Sequence, residues 1–357
     1  MNDFPFDITD VAAVLGMKLN SRNYTNCPLC GDNRGKMNLS LEKNVFRCNY
    51  CGESGGMIAL YAKACGLSNA DAYRSLLEAT RNADFSAIKR ECNKVYANRK
   101  QIQTASASEI NMIYRALFSM FDLSPKHREH LMIRGLTGKQ IERFGFKSVP
   151  VCGIDKHIHK LIEQSYTLQG VPGFYYDKDN QKWAMKLKCS GIVIPVTTVD
   201  GVTAGAQIRL DRPFNGCKYF WLSSSDMNMG ASSGSPVGFV GDIRSKAVYV
   251  TEGYLKAVAA HCLSGLTFAA VAGVNNYGNL PALFGALKQN GVEEVVEAYD
   301  MDKLTNPHVE RGCLKLVEIA REYGFKVRRI KWNGQFKGID DYLNTCKGKA
   351  ECIKILY

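Results

Sequence analysis

No apolar run in this chain approaches the ~18 residues that a membrane-crossing helix needs. Its start, Met1-Asn2-Asp3, is polar where an export signal would be basic and then apolar. A membrane or secreted protein is therefore not expected, and a cytoplasmic location is. Long biased tracts are also missing: 46% of the 357 residues are hydrophobic and 22% charged, a composition able to build a full core rather than a disordered chain. Acidic residues are the scarce charge. Thirty-four Asp and Glu face 46 Lys and Arg, giving a formal charge of +12. That excess points to a polyanionic partner, with nucleic acid favoured over an anionic membrane surface. On the usual ~100–200 residues per domain, the length allows two or three domains. Thirteen cysteines would suit a disulfide scaffold, but four form a tight pattern and nine are scattered, which reads as reduced thiols in a cytoplasm-like compartment.

The tight pattern is Cys27-x2-Cys30-x17-Cys48-x2-Cys51. Two Cys-x2-Cys knuckles at this distance bring four thiolates to one tetrahedral Zn²⁺. The segments between them, Met37–Leu41 and Asn44–Arg47, alternate as a hairpin does. A purely structural zinc explains this much. Arg34, Lys36, Lys43 and Arg47, with the aromatics Phe46 and Tyr50, also give the ribbon phosphate-binding and base-stacking chemistry; the alternative is a solvated hairpin surface. Helices are predicted over Met57–Cys65 and Asn69–Thr80, and a polar stretch near Asp84–Ser108 reads as a linker. Helical periodicity follows from Glu109 to Val149. Strands are predicted at Gly173–Tyr176, Trp183–Leu187, Gly191–Thr198 and Thr203–Leu210, before a Ser/Gly/Met-rich loop over Ser223–Gly234 long enough to be suspected of function or mobility.

The last third alternates strand and helix: Val248–Thr251, Tyr254–Ser264, Thr267–Val271, Leu280–Asn290, Glu294–Tyr299, Val309–Tyr323 and Lys326–Lys331. Parallel strands with right-handed crossovers put the loops after strands on one rim. Glu252 and the pair Asp300-x-Asp302 fall on that rim, an oxygen-rich set suited to Mg²⁺ or Mn²⁺ shared with a substrate phosphate. Asp340, in Lys337-Gly338-Ile339-Asp340-Asp341, either reaches the same rim or caps a final helix; a last helix is predicted over Lys347–Leu356.

In this order, the zinc ribbon, Glu252-Gly253-Tyr254-Leu255, Asp300-x-Asp302 and Lys337–Leu343 resemble bacterial DnaG-type DNA primases. The closer resemblance is to the primase-like TOPRIM proteins of phages and mobile elements, and it covers nearly the whole chain. It implies a multidomain α/β protein: a zinc ribbon, then an α+β primase core with a four-stranded parallel TOPRIM sheet. The corresponding segments are 1–84 (zinc ribbon), 85–108 (linker), 109–245 (first part of the RNA polymerase core), 246–335 (TOPRIM) and 336–357 (helical end of the core). It implies synthesis of short RNA primers on single-stranded DNA by two-metal nucleotidyl transfer. Cys27, Cys30, Cys48 and Cys51 would hold zinc, and Glu252, Asp300, Asp302 and Asp340 would hold two or more Mg²⁺ or Mn²⁺. Template, ribonucleoside triphosphate and RNA–DNA hybrid would be met by Arg209, Lys218, Tyr219 and Lys256, with Arg34 and Arg47 on the ribbon. A replicative helicase is the expected protein partner, although the chain shows no C-terminal helicase-binding domain of the cellular kind. Arg134-Gly135-Leu136-Thr137 matches the element that precedes the polymerase core. Three residues depart from the cellular pattern: Lys256 replaces an acidic residue, Met301 a glycine and Gly338 an aspartate. Lys256 and Gly338 support one competing reading, a non-catalytic binding factor, and a metal-dependent nuclease is the other, since the same metals can activate water.

Overall fold

A computed structural model describes residues 4–82, 103–187, 189–214, 217–225, 227–274, 276–346 and 354–355. The chain forms two compact units, each assembled from more than one segment: Met1–Thr104 with Gln169–Trp183 and Ser223–Gly234, and Ala105–Leu168 with Ala184–Leu222 and Ser235–Tyr357. Among the described residues no helix is long and apolar enough to cross a membrane.

The first unit opens with α1 (Ile8–Val14), held by a capping box in which Asp7 accepts from the Thr9 and Asp10 amides. A small antiparallel sheet follows, in the order β1 (Tyr24–Thr25), β2 (Met37–Ser40), β3 (Val45–Cys48), β4 (Ser54–Gly56). In β2 and β3 alternate residues are buried, so Met37, Leu39, Phe46 and Cys48 face a core shared with α2 (Met57–Cys65) and α3 (Asn69–Asn82). Phe46 is 1% exposed. Its expected role as a stacking aromatic is therefore corrected: the strand's period of two turns it inward and leaves Arg47 outside. The Ser/Gly/Met-rich loop is organised by Ser224, which is buried, donates to the Phe174 carbonyl (2.6 Å) and accepts from the Ala231 amide (3.2 Å). Nine described cysteines are free thiols; Cys65 is disulfide-bonded, contrary to the expectation of thiols throughout.

The second unit begins with α4 (Ala107–Ser119), whose N-cap Ser106 forms a capping box with Glu109. The polar run ending at Ser108 thus already contains a helix start; the part of that predicted linker up to residue 102 lies outside the described residues. Next come α5 (Pro125–Ile133), α6 (Gly138–Arg143), β5 (Lys147–Ser148) and α7 (Ile154–Glu163). Next in sequence, β6 (Phe174–Asp177), in the first unit, pairs with β7 (Lys182–Met185), which begins there; the antiparallel sheet of the second unit has the order β10-β9-β8-β5. Its long strands are β8 (Gly191–Thr197), β9 (Thr203–Phe214) and β10 (Cys217–Trp221). Sequence reasoning missed α7 and β10 and ended β9 four residues early.

The α/β sheet has the order β11-β13-β12-β14-β15-β16. Its centre, β12 (Ala247–Glu252), β13 (Phe268–Val271), β14 (Glu294–Glu297) and β15 (Lys326–Lys331), is parallel, as expected from the alternation. Antiparallel strands flank it: β11 (Gly238–Val240) beside β13, and β16 (Lys354–Ile355) beside β15. Residues 354–355 are thus strand where a helix was predicted, and the remainder of that predicted helix lies outside the described residues. One sheet face carries Phe268, Ala270, Val296 and Ala298 against α8 (Tyr254–Ser264) and α11 (Ile339–Thr345). The other carries Val248, Val250, Ala269 and Val295 against α9 (Leu280–Gln289) and α10 (Pro307–Glu322). The chain leaves β12 for β13 on one side and returns to β14 on the other. That reversal opens a crevice at the carboxyl ends of β12 and β14, the usual ligand position in open α/β sheets.

Candidate active site and zinc centre

Glu252 is the last residue of β12, and Gly253 turns the chain into α8 with φ 81° and ψ 123°, a backbone conformation that L side chains rarely adopt. Beyond the neighbouring strand, Asp300 is the N-cap of the 3-10 turn Met301–Leu304 and is 6% exposed. The crevice therefore gathers Glu252, Asp300 and Asp302, as the motif spacing predicted. Burial pushes the Glu252 carboxyl up to about 7, and the neighbouring Asp300 charge adds to the effect while Lys256 opposes it.

The carboxylates are already matched with ammonium groups. Lys256, one turn into α8, contacts Asp300 Oδ1. Lys337 lies 2.8 Å from Asp302 Oδ2 and 3.9 Å from Asp300 Oδ2. Asp302 Oδ1 is buried and has no hydrogen-bond partner among the described residues. A hard cation is the natural ligand for such an orphaned oxygen beside a second carboxylate, so the rim fits Mg²⁺ or Mn²⁺ at Glu252 and Asp302. Sequence reasoning missed Lys337 as a site residue; its position within the Lys337-Gly338-Ile339-Asp340 motif was the available signal.

The turn that carries the aspartates is anchored from below. Lys303, fully buried, donates to Glu297 Oε1 (2.8 Å) and to the Ile330 carbonyl (2.7 Å). Glu297 also accepts from Arg329 Nε and the Tyr299 amide, and Arg329 forks onto Glu310. The Met301 amide donates to the Lys337 carbonyl (3.0 Å), tying the two halves of the rim together.

Asp340 takes neither simple form expected of it. Gly338 is the N-cap of α11, so Asp340 sits one residue inside the helix. There it is 1% exposed and ion-paired with Arg134, the residue that ends α5. Burial raises its carboxyl and Arg134 opposes the shift. Helix α5 is itself fastened by His127, which bonds Ser148 Oγ and Asp211 Oδ1 at 2.7 Å each. Nearby, Arg209 pairs across the sheet with Tyr219, which is 37% exposed, and Lys218 lies at the irregular register between Cys217 and Tyr219. His130 is held neutral near pKa 4 by burial and by Arg209 and Arg134, which marks this wall as cationic.

In the first unit the four cysteines converge. Their Sγ atoms lie within 4.8 Å of one another, and among the described residues no other group of three or more His, Cys, Asp or Glu is gathered in this way. Each knuckle turns through a glycine, with the Gly31 amide bonding the Cys27 carbonyl and the Gly52 amide the Cys48 carbonyl (3.0 Å each). The Tyr50 and Cys51 amides point at Cys48 Sγ. A four-sulfur set with amide donors fits structural Zn²⁺. Arg34 is bound to Asp32 (2.6 Å) and stacks over Tyr50 (4.5 Å), so those two side chains engage each other, whereas Arg47 is exposed.

Comparison with known proteins agrees with this architecture. The structure of the Aquifex aeolicus primase, zinc-binding and RNA polymerase domains, superposes with a TM-score of 0.54 over 97% of this chain and 81% of that one, at 16% identity. The fold is that of a DnaG-type primase. A DnaG primase catalytic domain bound to ssDNA matches with a TM-score of 0.51 over 70% of this chain and 80% of that one, at 17% identity. In sequence, a DNA primase of Clostridium acetobutylicum is 22% identical over 343 residues, 91% of this chain and 53% of the relative. The chain thus spans about half the length of that primase. Residues 239–350 also match a family described as a domain of unknown function, DUF3854.

Proposed function

We propose that this chain is the catalytic part of a DNA primase, synthesising short RNA primers on single-stranded DNA during the replication of a phage or mobile element. The observation that carries the reading is the carboxylate crevice of Glu252, Asp300 and Asp302 at the switch point of a primase-type fold. Mg²⁺ or Mn²⁺ held by these residues would lower the pKa of a primer 3′-hydroxyl and offset the charge on the α-phosphate and departing pyrophosphate. The chain's own cations do the rest. Lys337, two-thirds exposed, swings from Asp302 to a triphosphate, and Arg209 and Lys218 meet the strand. Tyr219, beside Arg209, offers an exposed ring for a base. Arg34 and Arg47 on the zinc ribbon add template contacts. The functional segments follow the boundaries 1–84, 85–108, 109–245, 246–335 and 336–357. The partners of this reading are single-stranded DNA, ribonucleoside triphosphates, the nascent RNA–DNA hybrid and a replicative helicase in a bacterial cytoplasm.

The test is incorporation of labelled ribonucleotides on single-stranded DNA with Mg²⁺ and Mn²⁺ compared. Synthesis lost in Asp300→Ala and Asp302→Ala, with both variants folded, is the expected result. Cleavage of the template without synthesis would establish a nuclease instead, and binding alone a non-catalytic factor.

A further inference from the structure

The Lys256 side chain is only 18% exposed and its ammonium rests on Asp300, whose side chain is 8% exposed, and its charge is also felt by Glu252 and Asp340. To reach that place the lysine stem runs past Gly338. A Cβ at Gly338 would lie 3.1 Å from Lys256 Cδ, 3.3 Å from its Cε and 2.6 Å from Asp340 Oδ1. The backbone there is extended, φ −96° and ψ 155°, which any residue adopts. A side chain at 338 would therefore press first on Asp340 Oδ1 and then, by a few tenths of an ångström, on the Lys256 stem. By contrast, Lys337 is 66% exposed and can leave Asp302 at little cost.

Charge points the same way. Glu252, Asp300 and Asp302 when ionised carry three negative charges; Lys256 and Lys337 return two. One divalent ion takes the cluster to +1, whereas two would take it to +3 before any phosphate arrives.

We propose that Lys256 is a resident cation of the rim: its ammonium holds the place on Asp300 that a second divalent ion would need, with its stem running past Gly338. The rim then takes a single divalent ion, on Glu252 and Asp302. This rests on the metal-binding reading above and refines it.

The experiment is a Mn²⁺ titration of the zinc-loaded full chain without nucleotide, with free Mn²⁺ followed by electron paramagnetic resonance. Wild type should bind one Mn²⁺. Lys256→Gln should gain a second, tightened about tenfold or more, the low end of what a unit charge a few ångströms away exerts. Gly338→Ala, which keeps the lysine but crowds its stem and Asp340, should move in the same direction to a smaller extent. Adding Asp300→Ala to Lys256→Gln should remove the second ion again, with circular dichroism confirming that each variant is folded. Two Mn²⁺ of similar affinity in wild type, or one in Lys256→Gln, would overturn the inference while leaving primer synthesis, assayed separately, untouched. No Mn²⁺ at all in either protein would overturn the rim as a metal site and this inference with it.

Discussion

Replacing Lys303 by methionine should be among the costliest single changes in the α/β unit, although the residue touches no ligand. Its ammonium and the Glu297 carboxylate are both wholly buried, and it makes two bonds, to Glu297 and to the Ile330 carbonyl. Methionine keeps the stem volume and removes the charge. Breaking one partner of a buried pair costs about 3–5 kcal/mol. The low end applies here, about 3 kcal/mol, because Glu297 keeps Arg329 at 2.8 Å and the Tyr299 amide at 2.7 Å. At about 2–4 °C per kcal/mol for a unit of this size, the melting temperature should drop by about 6–12 °C. Calorimetry of wild type, Lys303→Met, Glu297→Gln and the double variant measures the loss and the coupling. The double variant should recover about 1 kcal/mol relative to the sum of the singles, since no uncompensated carboxylate is left. A loss below about 1 kcal/mol in Lys303→Met, or strict additivity, would refute the claim that this pair anchors the aspartate turn.

Three further outcomes follow from described contacts. Glu252 has a folded pKa near 7, above its ordinary 4.5, so folding favours its protonated form; stability is lost as pH rises from about 4.5 to 7. In chelator, wild type should therefore lose more melting temperature than Glu252→Gln between pH 5 and pH 8, and equal slopes would remove the argument. Gly191→Ala should cost about 2–3 kcal/mol in urea unfolding, because its Cβ would sit 2.2 Å from the Arg209 carbonyl across the β8–β9 ladder, where backbone cannot yield; it should also weaken nucleic-acid binding by displacing Arg209. Zinc release by a thiol-reactive mercurial should give one Zn²⁺ per chain and abolish protection of the β2 and β3 amides in hydrogen exchange, while the β12 and β14 amides keep theirs.

Much of this was legible in the chain itself. Two Cys-x2-Cys knuckles need only spacing to be recognised, and β-branched runs between helical segments announced the parallel strands and placed Glu252, Asp300 and Asp302 at their ends. The unread parts share a cause, dependence on a distant partner. Nothing near Lys303 in sequence says that it is buried, since lysine is exposed by default. Asp340 meets Arg134 from 206 positions away, so neither of its local readings found the ion pair. Strand β11 is three residues long and exists only because β13 offers it an edge. Helix α7 is a different case: Ile154, Ile158 and Leu161 are spaced as one helical face, and the signal was there to be used. Gly338 reads in sequence as a missing carboxylate, and only the fold shows Asp340 Oδ1 and the Lys256 stem packed against it.

The strand order of the α/β sheet also has a consequence during synthesis. Strand β12 is made before both of its neighbours and pairs first with β13, but its other edge waits for β14, whose last residue follows Glu252 by 45 positions. At ribosomal speeds of about 5–20 residues per second, that edge is open for about 2–9 s on every nascent chain. Ala247–Thr251 is apolar, β-branched and uncharged until Glu252, the kind of segment that pairs with strangers. A slow codon stretch between 253 and 293 should therefore raise aggregation of the translated protein more than one placed after 300.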